Sequence, residues 1–147
     1  PAVLVCQDLL KRNPKNVSAL EITAVGYENL GVPDRALQYY ESLYLLQSNP
    51  AVLYKMAFLQ LSLKRYKESD TSADILIADK NVDALKVNFN DSNRKAKEYP
   101  MKVALLNLKG MIAFEQGDKV TARKFYDQAL AQAPDFALAK ENLAKLK

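Results

Sequence analysis

A chain of 147 residues with 49% apolar and 26% charged side chains is globular in composition and has enough residues for one domain's core. Its 21 basic and 17 acidic residues leave a net charge of +4, and it has no histidine, which excludes imidazole bases, Ser-His and Cys-His pairs and the usual zinc ligand sets. One cysteine, Cys6, cannot close an internal disulfide, and no apolar run approaches the roughly 18 residues of a membrane span.

In chain order, "AVLVCQDLLKRNP" (2–14) reads as a helix stopped by Pro14. Residues 19–50 read as two helices around Gly31, and 53–78 follow the same template, with Leu53, Ala57, Ser69 and Ala73 falling on Leu20, Ala24, Ala36 and Tyr40. The stretch "LKVNFNDSNRKAKEYP" (85–100) breaks the helical period. Leu85, Val87 and Phe89 alternate with Lys86, Asn88 and Asn90, the period of a strand. Candidate strands at 85–90 and 95–99 flank "DSNR", whose residues favour turns, and the whole reads as a β-hairpin with Leu85, Val87 and Phe89 as its packing face. The helix before it is expected to end near Asp79 to Asn81. Helix resumes near Met101, since Pro100 suits a first helical position and forces Tyr99 extended. "LLNLKGMIAFEQGDKVTARKFYDQALAQAP" (105–134) then overlays residues 19–50, with Gly117 on Gly31, Ala122 on Ala36 and Tyr126 on Tyr40, and "PDFALAKENLAKLK" closes the chain at helical spacing.

These columns resemble the tetratricopeptide repeat, a helix-turn-helix unit of 34 residues. The small residue of the first helix matches Ala24, Ala57 and Gly110, and that of the second matches Ala36, Ser69 and Ala122. Small side chains there let two antiparallel helices approach closely. The closing pattern matches Ala129, Leu130 and Pro134. The resemblance implies an all-α fold, a right-handed superhelix (α-solenoid) of antiparallel helix pairs, here with an inserted hairpin. It divides a single domain into the second helix of a preceding repeat (1–16), repeat 1 (17–50), repeat 2 (51–83), the insertion (84–102), repeat 3 (103–136) and a capping helix or start of a further repeat (137–147). The chain reads as a segment of a longer array.

Nothing in the sequence assembles chemistry. The four glycines, at 26, 31, 110 and 117, form neither a phosphate loop nor a dinucleotide fingerprint. "SNRK" (92–95) has Ser-x-x-Lys spacing at a turn tip, without the burial that would depress a lysine. The expectation is therefore no enzyme, no cofactor and no metal.

The resemblance implies a groove, lined by the first helix of each repeat, that binds an extended peptide or a helix of a protein partner. By register it presents Glu21, Val25 and Glu28, then Tyr54, Phe58 and Leu61, then Asn107, Met111 and Phe114. "VLYKMAFLQLSL" (52–63) is apolar nearly all round, more than one packing stripe requires. The carboxylate clamp of chaperone-binding relatives is not expected, because its positions hold Glu21, Val25, Lys55, Ala104 and Leu108. Two rival readings are a spacer or self-assembly unit joining through open repeat ends, and, more remotely, nucleic-acid contact through the insertion. There Lys86, Arg94, Lys95, Lys97 and Lys102 outnumber Asp91 and Glu98. In the insertion, Phe89, Arg94, Lys95, Lys97 and Tyr99 are the candidate contacts, and the cellular compartment stays open.

Overall fold

The structure, a computed structural model, describes residues 2–147. Eight α-helices and one hairpin follow in order: α1 (Ala2–Arg12), α2 (Val17–Asn29), α3 (Pro33–Gln47), α4 (Pro50–Ser62), α5 (Tyr66–Ile77), a 3-10 turn (Val82–Ala84), β1 (Lys86–Asn90), β2 (Ala96–Pro100), α6 (Met101–Glu115), α7 (Lys119–Gln132) and α8 (Ala137–Ala144). This is an all-α helical-repeat fold of antiparallel pairs interrupted by a two-stranded insertion. It forms two compact units, Pro1–Ser72 and Ala73–Lys147, with the boundary inside α5.

Local chemistry fixes the helix starts. The side chains of Asn16, Asn49 and Asp118 accept from the backbone N–H of Ala19, Ala51 and Thr121 at 2.9, 2.9 and 3.0 Å, each satisfying a donor that the first turn leaves unpaired. Pro33 and Pro50 open α3 and α4, where the missing N–H costs nothing. The turn within each pair needs a left-handed residue. Gly31 and Gly117 supply it at φ 73° and 82°, and in the middle repeat Lys64 takes the same position at φ 61°.

In the first unit Ala24, Ala36 and Ala57 are fully buried, and Leu37, Tyr40 and Leu43 fill the space beside them. Each large side chain buried this way contributes about 1.5–3 kcal/mol. Ser69, in the column of Ala36, is equally buried, and its hydroxyl donates to the carbonyl of Ala57 at 2.7 Å. Gln60, where the first repeat has Tyr27, accepts a hydrogen bond from Ser72 at 2.7 Å. The irregular middle repeat thus replaces apolar packing with satisfied polar pairs.

In the second unit β1 and β2 pair antiparallel with Val87 opposite Tyr99 and Phe89 opposite Lys97. Both strands start one residue later than expected, and α5 ends at Ile77, short of Asp79. Pro100 closes β2 in an extended conformation (φ −56°, ψ 137°) and caps α6 rather than entering its first turn. The hairpin has a firm seat. Val87, Phe89 and Tyr99 pack with Phe136, Val103, Leu106 and Ala133 in one apolar cluster, and the rings of Phe89 and Tyr99 meet Phe136 edge-on at 5.3 and 5.0 Å. A lone hairpin is marginal in water, and this cluster is what holds it.

Candidate interaction site

In the first unit the expected groove residues Glu21 and Val25 line a cavity of about 140 Å³ with Tyr40, Leu43, Gln47, Asn49, Ala51, Val52 and Lys55. Three helices build it: the exposed side of α2, the C-terminal half of α3 and the first turns of α4. Glu28, one turn along α2, is engaged within the protein. Its carboxylate accepts from the Tyr40 hydroxyl at 2.7 Å and pairs with the Lys55 ammonium at 3.4 Å. Lys55 also lies 5.6 Å from the centre of the Tyr40 ring. Burial, followed by the carboxylates of Glu28 and Glu21, pushes the Tyr40 hydroxyl well above its ordinary pKa.

Tyr54 and Phe58, also expected in the groove, form a tilted ring pair 4.9 Å apart. They do not line that cavity. Both rings are half-buried, as is Leu61, and burial raises the Tyr54 hydroxyl.

In the second unit Met111 and Phe114 line a smaller cleft of about 90 Å³ with Glu115, Tyr126, Asn142 and Lys145. Met111 and Tyr126 stand in the repeat columns of Val25 and Tyr40, so corresponding positions open a cleft in each unit. Burial, with Glu115 adding to it, pushes the Tyr126 hydroxyl up to about 12. Asn107 is a different case: it is 1% exposed, and its side-chain carbonyl accepts from Asn142 of α8 at 3.0 Å. It holds α8 in place and offers no surface to a partner.

The hairpin distributes its expected contact residues unevenly. Tyr99 is 2% exposed, and its hydroxyl donates to the carbonyl of Asp135 at 3.2 Å, so its ring is not free to stack on a base. Phe89 is half-buried against Phe136. Lys97 is paired with the Asp135 carboxylate at 2.7 Å, while Arg94 and Lys95 are exposed near the tip. Three of the five residues thus anchor the hairpin to the α7–α8 turn.

Sequence reasoning does not find the contributions of Tyr40, Leu43 and Gln47, because it lines the groove with the first helix of each repeat. It had noted Lys55 only as the one basic residue at a clamp position. The pairing of Lys55 with Glu28 crosses 27 residues, and no local pattern encodes it.

No curated protein matches the sequence. Among solved structures, the crystal structure of MamA aligns over 98% of this chain and 74% of its own at 15% identity with a TM-score of 0.72. A tetratricopeptide repeat protein from Parabacteroides merdae aligns over 98% of this chain and 49% of its own at 18% identity, TM-score 0.70. PilW, described as a widely conserved type IV pilus biogenesis factor, aligns over 97% of this chain and 58% of its own at 26% identity, TM-score 0.69. No helix among the described residues is long and apolar enough to cross a membrane. Residues 84–137, which include β1, β2, α6 and α7, match the tetratricopeptide repeat family, and the chain as a whole shares the helical-repeat fold of these solved structures.

Proposed function

We propose that this protein is an interaction module that holds a peptide or helix of a protein partner on the first-helix faces of its repeats. The observation that carries the reading is the pair of clefts at corresponding repeat columns, one at Val25 and Tyr40 and one at Met111 and Tyr126. Val25, Met111 and Phe114 are half-buried at these clefts, and concave apolar patches are where peptide anchors seat. The half-buried Tyr54 and Phe58 are the aromatic anchors of α4 in this reading. PilW, a biogenesis factor, shares the fold at 26% identity, which agrees with a scaffolding role.

A peptide-display selection against the protein, counter-screened on Phe58→Asp, tests the reading. Enriched peptides are expected to lose binding to the variant while its circular dichroism stays helical. Peptides that bind both proteins alike would remove Phe58 from the site, and loss of the helical signal would assign its ring to the fold. Exposed Leu4 and Val5 on α1, at 64% and 69%, favour a second reading, self-assembly through that face, which a sedimentation mass rising with concentration distinguishes.

A further inference from the structure

The cavity between α2, α3 and α4 has a charge balance that selects among peptides. Its floor is apolar, from Val25, Leu43 and Val52, with the Tyr40 ring beside them. At about 140 Å³ it is close in size to an engineered apolar cavity of about 150 Å³ that takes up benzene, which is room for one apolar side chain. Three charges stand around it, and two of them cancel. Lys55 is spent on Glu28, at 3.4 Å, and on the Tyr40 hydroxyl oxygen, also at 3.4 Å. Glu21 lines the same cavity, is exposed, and makes no hydrogen bond or ion pair among the described residues. The remaining charge is therefore negative. Burial is the main cause that raises the Tyr40 hydroxyl, and Glu28 and then Glu21 add to it.

We propose that this cavity seats an apolar side chain of a partner segment in which a lysine or arginine lies next to that side chain and pairs with Glu21. The inference rests on the peptide-groove reading above and adds the partner's chemistry. An acidic segment is disfavoured on two counts: Glu21 repels it, and the Lys55 charge is already balanced by Glu28. The preference is the reverse of a carboxylate clamp.

Two synthetic peptides test it, each with the same two leucines, one carrying lysines and the other glutamates at the neighbouring positions. Each is titrated into isotope-labelled protein while the backbone amide shifts of Val25, Val52 and Lys55 are followed. The lysine peptide is expected to move these amides and to bind more tightly than the glutamate peptide. Glu21→Gln, an exposed and nearly isosteric change, should weaken the lysine peptide about two- to fivefold, the range of a partly exposed ion pair, and added salt should weaken it likewise. If both peptides move these amides equally and Glu21→Gln changes nothing, the charge preference is overturned and the groove stands. If neither peptide moves them at millimolar concentration, the groove reading falls with it.

Discussion

Gly110 shows how narrow the helix crossing is. A Cβ built there would meet the Tyr126 ring, with Cδ1 at 2.6 Å, and Tyr126 is itself only 1% exposed. Gly110→Leu is therefore expected to destabilise the protein by about 1–3 kcal/mol through overpacking, read as a lowered urea midpoint. An unchanged midpoint would mean that α6 and α7 do not cross at this residue. The small-residue columns were legible in the sequence because close approach leaves a periodic trace: Ala24, Ala57, Ala36, Ser69 and Ala122 are all fully buried, as their spacing implied. Polar pairs leave no such trace. Asn107 reads as a groove residue by register, yet its partner Asn142 lies 35 residues away. Only the structure brings the two together and removes Asn107 from the accessible surface.

The three turns within helix pairs invite comparison at the level of elements. Two use glycine in the left-handed region, and the third forces Lys64 into it at φ 61°. An L-residue there carries a steric cost that glycine lacks, partly offset by the greater freedom glycine has in the unfolded chain. Lys64→Gly is accordingly expected to raise stability by about 0.5–1 kcal/mol, with the urea midpoint shifting up at constant slope; a midpoint that falls would show that unfolded-chain entropy outweighs the strain. The hairpin was legible as an element, because alternation of Val87 and Phe89 with Lys86, Asn88 and Asn90 has a period no helix shares. Its seat was not. Asp135 and Phe136 belong to the turn before α8, and only the fold shows that Lys97, Tyr99 and Ser92 all reach Asp135. Of the basic residues counted in the insertion, the fold pairs Lys97 with Asp135 and leaves Arg94 and Lys95 exposed.

For the molecule as a whole, the absence of histidine sets the shape of its pH dependence. Asp118 is held below its ordinary pKa of 3.8 by hydrogen bonds from the Thr121 hydroxyl and backbone, and Asp135 is held below the same value by the Lys97 ammonium. A depressed carboxyl contributes stability above its unfolded pKa and loses it as pH falls through the lower folded value. On the alkaline side, Tyr40, Tyr54, Tyr99 and Tyr126 are raised above 10.0 chiefly by burial, and Lys97 is raised above 10.5 chiefly by Asp135. Those contributions are complete below the unfolded values and are lost as pH rises through the folded ones. The urea midpoint should therefore stay level between about pH 5 and 8 and fall on either side. Asp135→Asn tests the acid limb directly. It removes the Lys97 pair and the depressed carboxyl together, so the variant should be less stable than the parent at neutral pH, and the two curves should converge as Asp135 becomes protonated in the parent. Curves that remain parallel down to the lowest pH would mean that Asp135 titrates alike in the folded and unfolded chain. The hairpin's seat would then rest on its apolar cluster and on the bonds from Tyr99 and Ser92 to the Asp135 carbonyl.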